Sequence, residues 1–192
     1  ILVHSPFLAG IATHHPAHLL ALLTEDPDAC FARLKAEAVA ACRKARSDEG
    51  VGRALRRFRS EVALLVALAD IGDVWPLETV TRALTETADL AVAEAVVHLM
   101  SDFAEAGTLA PPDLKRPEAA SGYIVLAMGK HGAFELNYSS DIDLIVFFDP
   151  DKAPMAPGKD AQPAYVRLTQ RLVKILQERT ADGYVFRTDL RL

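Results

Sequence analysis

The spacing of apolar positions changes character part-way along the chain, from the helical period to the strand period. Ser5-Pro6 and Asp26-Pro27 each place a capping side chain before a proline, where the missing N–H is harmless, so helices are expected after both. From Asp26 to Ser47 the chain is alanine-rich, with Phe31, Leu34 and Val39 as its apolar members, and Asp48-Glu49-Gly50 is expected to end that helix. Val51, Leu55, Phe58, Val62, Leu65 and Leu68 then recur at three and four residues, an amphipathic face. Trp75-Pro76 opens another helix, with Leu77, Val80, Leu84, Ala88, Ala91, Ala95, Leu99 and Phe103 on one stripe and Gly107 placed to stop it.

Beyond Gly107 the pattern shortens. Thr108 to Ser121, with Pro111, Pro112 and Pro117, reads as a loop and linker. Gly122 to Met128 is an apolar run rich in strand formers, too short for a stable helix and ended by Gly129, so a buried strand is expected; Asp141 to Phe148 is a second. Between them, Lys130 to Ser140 suits a tight turn and a short helix. Asp149 to Pro163, with its five turn formers Pro150, Pro154, Pro157, Gly158 and Pro163, reads as a surface loop. Ala164 to Thr180 reads as a helix with Val166, Thr169, Leu172, Val173 and Leu176 inward and a solvated stripe of Arg167, Arg171 and Lys174. After the Asp182-Gly183 turn, Tyr184 to Leu192 alternates as a strand with Arg187, Asp189 and Arg191 on one face. The fold class is therefore α+β: a helical leader over 1–106, a linker over 107–121, and a small mixed sheet with helices over 122–192.

Composition narrows the functions this fold could serve. The 192 residues, 51% hydrophobic and 24% charged, describe a globular chain with a sizeable core. A formal net charge of −5 argues against a dedicated nucleic-acid binder. No apolar run approaches the roughly 18 residues of a membrane span. Cys30 and Cys42 fall in one expected helix on faces about 120° apart, so a disulfide between them is implausible and reduced thiols in a cytoplasmic setting are expected. With no initiator methionine and a stop in mid-strand at Leu192, the chain is expected to be a piece of a longer protein.

Candidate chemistry concentrates between Gly122 and Asp149. In a strand opening at Asp141, Asp141 and Asp143 share a face, with Cα atoms ~6.6 Å apart, while Ile142, Leu144, Val146 and Phe148 take the other. Two like charges opening an apolar strand call for a cation between them, and magnesium is the usual oxygen-ligated answer. Gly129, Lys130 and Gly132 supply the complement: glycines let backbone N–H groups approach phosphate oxygens, and the lysine adds charge. Other charged clusters have blander readings. Arg53, Arg56, Arg57 and Arg59 read as a solvated helix face. His14, His15 and His18 lack a further ligand at metal spacing and read as surface or helix-end residues, and His98 reads as structural.

Four ordered motifs then carry a family resemblance: G-K-x-G at Gly129 to Gly132, E-L-N at Glu135 to Asn137, S-S-D-I-D-L at Ser139 to Leu144, and F-R-x-D-x-R-L at Phe186 to Leu192. The chain resembles the bifunctional adenylyltransferase/adenylyl-removing enzymes of glutamine synthetase, within the DNA polymerase β-like nucleotidyltransferases. Asn137 with a doubled serine and Asp-Ile-Asp resembles their deadenylylating half, which removes AMP by phosphorolysis; Ala133 departs from the pattern, where many relatives carry a second glycine. The resemblance implies Asp189 as a third metal carboxylate beside Asp141 and Asp143, on a strand next to theirs, and Mg²⁺ as cofactor. Gly129, Lys130, Gly132 and Ser139 or Ser140 are then the expected phosphate contacts. It further implies glutamine synthetase, a PII-type signal protein, ATP or ADP, and phosphate as partners. The competing readings are the adenylylating half, a nucleotide-sensing module without turnover, which would not need all three aspartates, and a nucleotidyltransferase of nucleic acids or antibiotics, which the acidic balance disfavours.

Overall fold

A computed structural model describes residues 5–14 and 16–191 of the chain. Among the described residues five helices precede the first strand: α1 Pro6–His14, α2 Pro16–Thr24, α3 Pro27–Lys44, α4 Asp48–Ile71 and α5 Leu77–Glu105. Then follow β1 Tyr123–Met128, α6 Gly129–Gly132, β2 Ile142–Phe148, α7 Ala161–Gln177 and β3 Thr188–Arg191. The class is α+β, helices segregated from one small mixed sheet.

The expected caps form. Ser5 Oγ accepts from the Leu8 N–H at 3.3 Å and Asp26 Oδ1 from the Ala29 N–H at 3.0 Å. Gly107, at φ +65°, ends α5 by bonding its N–H to Ala104 O at 3.0 Å while the Thr108 N–H reaches Phe103 O at 2.9 Å, the paired closure that a left-handed residue permits. Two helix starts differ from expectation. Asp48, Glu49 and Gly50 start α4 rather than end α3, because Ser47 Oγ accepts from the Gly50 N–H at 3.2 Å and the two acids complement the positive helix end. α7 starts at Ala161, three residues early, because Asp160 caps it and Pro163 falls in the first turn, where no N–H is required. Along α5, Leu77 is exposed at the first turn, but Val80, Ala88, Ala91, Ala95, Leu99 and Phe103 are buried.

In the sheet, β1 runs antiparallel to β2 and β2 parallel to β3, in the order β1-β2-β3. The β2 to β3 crossover is α7, as parallel neighbours require. β3 begins at Thr188 rather than Tyr184, since the Val185 and Phe186 N–H groups are both given to Leu176 O at the end of α7 and their side chains fill the core. Among the described residues only one sheet face is covered. Tyr123, Val125, Leu144 and Phe148 pack with Leu99, Tyr165, Leu168 and Leu172 of α5 and α7. Tyr165 sends its hydroxyl to Ser121 O, and Tyr123 shares a 2.8 Å hydrogen bond with Thr169. On the other face Ile124, Leu126, Met128 and Phe147 stand exposed, so β1 is half-buried and not the buried strand expected from its composition. A second apolar cluster joins Phe31, Leu34, Phe58, Leu65 and Trp75 of the leader, and α5 contributes to both.

The segment 107–121 is tied down: Leu109 is buried and bridges to Met155, and the Ala110 N–H reaches Pro154 O at 2.7 Å. Cys30 and Cys42 are free and buried, and burial pushes the Cys42 thiol up to about 12. Among the described residues no helix is long and apolar enough to cross a membrane.

Candidate active site

The turn between β1 and β2 is built around backbone contacts that exclude side chains. Gly129, at φ +54°, lies so near β2 that an added Cβ would sit 3.0 Å from Asp143 Oδ2. At Gly132 a Cβ would stand 2.5 Å from Ala127 O, an immovable backbone atom. Both glycines are thus required by geometry: Gly129 brings the turn backbone against the Asp143 carboxylate and Gly132 brings it against the β1 backbone at Ala127. Phe134 adopts φ +60°, a left-handed conformation that costs a non-glycine residue roughly 1–2 kcal/mol. Arg82 of α5 covers the Phe134 ring at 5.8 Å. Lys130 is exposed at the mouth of this turn, free of ion pairs among the described residues.

The three aspartates are placed differently from one another. Asp143 and Asp189 are direct partners in the parallel β2–β3 register, side by side on the uncovered sheet face, with Met128 opposite Asp143 on its other flank. Asp141 lies just before β2 and makes an ion pair with Arg187. Arg187 also donates to Ser139 O at 3.1 Å, so it joins the turn to the segment entering β3. Among the described residues no three acidic, histidine or cysteine side chains are gathered closely enough to form a ready-made metal cage. What the donor set does offer is two adjacent carboxylates, neither bonded to a cation among the described residues, the oxygen chemistry a hard divalent ion takes.

The serines have separate roles. Ser140 Oγ donates to Asn137 Oδ1 at 2.8 Å and accepts from the Asn137 N–H at 3.1 Å, so its hydroxyl closes the loop. The Ser139 N–H also bonds Asn137 Oδ1, at 3.2 Å, and its side chain is exposed. The helical leader grips this loop at further points that sequence reading missed. His131, 2% exposed, bonds Asp89 Oδ1 of α5 through Nε2 at 2.8 Å, and the Tyr138 hydroxyl donates to Asp70 Oδ2 of α4 at 2.7 Å. Burial and the Asp70 carboxylate both push the Tyr138 hydroxyl well above its ordinary range. The only advance signal for His131 was its place inside G-K-x-G.

Away from this turn, two clusters depart from their sequence readings and a third keeps to its own. Arg171 is not a solvated charge: its guanidinium bonds Asp48 at 2.6 and 2.9 Å and Asp102 at 2.6 Å, and His98 Nε2 meets Asp48 Oδ1 at 2.9 Å, which agrees with a structural His98. Arg56 is 4% exposed and Arg59 lies over the Tyr184 and Phe186 rings at 5.2 and 5.3 Å, so neither belongs to a solvated face. His14 bonds Gly10 O and His18 the Glu61 carbonyl, in keeping with non-metal roles; His15 lies outside the described residues, as do Leu192 and the Arg191 side chain.

The family model for glutamate-ammonia ligase adenylyltransferase matches residues 1–192. The chain belongs to this family. It is 54% identical over 188 residues to a protein of Xanthobacter autotrophicus, 53% to one of Bradyrhizobium diazoefficiens and 50% to one of Rhodopseudomonas palustris, each named a bifunctional glutamine synthetase adenylyltransferase/adenylyl-removing enzyme. In each case the match covers 98% of this chain and 19% of the relative, so the chain spans about a fifth of the length of these family members.

Proposed function

We propose that this chain carries the deadenylylating site of the family, which removes AMP from a modified tyrosine of glutamine synthetase by phosphorolysis. The observation that supports it is the pairing of Asp143 with Asp189 on the open sheet face, with the Gly129 backbone against Asp143 and Lys130 beside it. In the reaction a phosphate oxygen bonds to the phosphorus of the AMP-tyrosine diester, the bond from phosphorus to the tyrosine oxygen breaks, ADP leaves, and the tyrosine oxygen takes a proton. Phosphoryl chemistry of this kind asks mainly for positioning and charge stabilisation.

Asp143 and Asp189 would hold Mg²⁺, with Asp141 joining them when Arg187 releases it. When bound, the ion neutralises charge on the attacking and leaving oxygens. The backbone N–H groups at Gly129 to Gly132 and the Lys130 ammonium hold the incoming phosphate, and Ser139 is the serine free to add a contact. Ser140 serves through the loop it closes with Asn137. Arg187 fixes the position of Asp141 and of the Ser139 carbonyl. The Asn137, doubled serine and Asp-Ile-Asp run supports the removing activity over the attaching one. A cytoplasmic setting, glutamine synthetase and a PII-type signal protein as macromolecular partners, and ADP and phosphate as small ones follow from the same reading.

The test gives the purified chain AMP-modified glutamine synthetase with Mg²⁺ and phosphate in one tube, and unmodified glutamine synthetase with ATP in another. ADP from the first establishes the removing activity. AMP-protein from the second, with none lost in the first, assigns the chain to the attaching activity instead. Turnover by Asp143→Asn equal to wild type would show that the carboxylate pair is not the site.

A further inference from the structure

The four arginines of α4 are answered unequally by the protein. Arg53 pairs with Glu49 at 2.8 Å, Arg57 pairs with Glu61 at 2.9 Å, and Arg59 lies over two aromatic rings. Arg56 is the most buried of them, at 4% exposed, yet no carboxylate among the described residues pairs with it and its Nε has no hydrogen-bond partner. Guanidinium groups are almost never buried to this degree without a counter-charge, because the lost hydration has to be replaced. Gly52 lets the side chain fold back: a Cβ there would stand 3.1 Å from Arg56 Nη1 and 3.6 Å from the Ile175 carbonyl oxygen. The carbonyl end of α7 contributes at most about half a negative charge, which leaves the cation incompletely balanced.

Arg56 lines a cleft of about 670 Å³ between α1, α4 and the Asp182–Gly183 turn. Its walls combine Phe7 and Ile11 of α1 with Arg53, Arg56 and Arg57 of α4. Of its three guanidiniums, Arg53 is held by Glu49 and Arg57 by Glu61, so Arg56 is the one left without a paired carboxylate among the described residues. Phe7 is 53% exposed on the rim, an aromatic face with nothing laid on it among the described residues. The volume exceeds what a bare ion needs and falls in the range of small-molecule sites.

We propose that this cleft binds a small organic oxyanion, a carboxylate or phosphate monoester on an apolar body, with Arg56 reading the oxyanion and Phe7 and Ile11 holding the body. The guanidinium fork suits either oxyanion, since two parallel N–H donors match two oxygens of a carboxylate or a phosphate. The site lies apart from the Asp143–Asp189 pair and does not depend on the chemistry proposed there.

The experiment follows the arginine Nε–Hε and backbone amide resonances of the full 192-residue chain during titration with benzoate, phenyl phosphate, inorganic phosphate and benzyl alcohol. Expected is saturable movement of the Arg56 signal and of the Gly10, Ile11 and Gly183 amides with benzoate or phenyl phosphate. Which of the two binds more tightly distinguishes carboxylate from phosphate ester. Inorganic phosphate should bind more weakly and benzyl alcohol should leave the Arg56 signal in place. Arg56→Met should weaken binding by at least about tenfold, the loss expected for one charge-assisted hydrogen-bonded contact, while Arg53→Gln changes it by less than about threefold. If Arg56→Met does not fold, Arg56→Lys and Phe7→Ala read the two halves separately, each predicted to weaken benzoate binding. Equal response to benzoate and benzyl alcohol, shifts at Arg53 and Arg57 without Arg56, or no saturable response at all would overturn the proposal.

Discussion

Two groups of acidic side chains in this molecule are held in opposite ways. Between α4, α5 and α7, Asp48 and Asp102 share the Arg171 guanidinium, and His98 adds a second contact to Asp48. Every acid there is answered from within the chain. On the open face of the sheet, Asp143 and Asp189 stand in register, and among the described residues neither carboxylate is bonded to a protein cation, whereas Asp141 has one in Arg187. The first arrangement joins a helix of the leader to the helix that crosses between β2 and β3. The second keeps like charges side by side, a cost that a fold does not retain for its own stability. Complete internal pairing marks a structural junction; incomplete pairing leaves charge for something from outside.

The largest effect expected from this contrast is on turnover. If the proposed AMP removal runs on this carboxylate pair, Asp143→Asn should reduce it by about 100-fold or more, because the charge that would hold and offset the reacting groups is lost. Its thermal stability should stay level or rise by up to about 1 kcal/mol, since one of two facing like charges is gone. Activity and melting temperature measured on the same preparation separate the two effects. A variant that loses stability along with activity would make Asp143 a structural acid like Asp48.

Arg171→Met should show the reverse. It leaves Asp48 and Asp102 without their shared cation at a site one-third exposed, and should cost about 2 kcal/mol. For a chain of this size that is a fall of about 4–8 °C in melting temperature, read by calorimetry. Mg²⁺ affinity, measured by titration calorimetry, should be unchanged. A melting temperature within a degree of wild type would reduce the cluster to a surface network.

The contrast was only half legible in the sequence, and the reason is contact range. The Ser-Ser-Asp-Ile-Asp run, the Gly107 stop and the Asp26 cap act within a few residues, so spacing alone exposes them. Asp189 could be set beside Asp143 only through the family resemblance, since strand order is not written in either strand. Arg171 meets Asp48 across 123 positions, and nothing near either residue announces the other, so Arg171 reads as a solvated charge and Asp48 as part of a helix stop. β1 misled in a related way: it is apolar on both faces, and composition does not say that α5 and α7 cover only one. Ser47 to Gly50 was misjudged because a polar tetrapeptide between helices can end one or begin the next; the 3.2 Å bond from the Gly50 N–H to Ser47 Oγ decides it.

The smallest expected effect, and the sharpest discrimination between the two acidic groups, lies in the acid limb of stability. Burial pushes the Asp48 carboxyl up, but the bonds from Arg171 and His98 together outweigh it and hold the group below its ordinary range. A carboxyl depressed in the folded state stabilises the fold above its unfolded value near pH ~4, and that contribution fades as pH falls through the lower folded value, because the unfolded chain takes up its proton first. Denaturant unfolding of wild type and Asp48→Asn should therefore differ most at pH 6–7, by about 1–2 kcal/mol, and converge toward pH ~3. The Asp143→Asn difference at pH 6–7 should have the opposite sign, since the substitution removes one of two like charges in register. Two differences of the same sign would mean that the open-face carboxylates are stabilised within the fold after all, and would remove the argument for a cation between them.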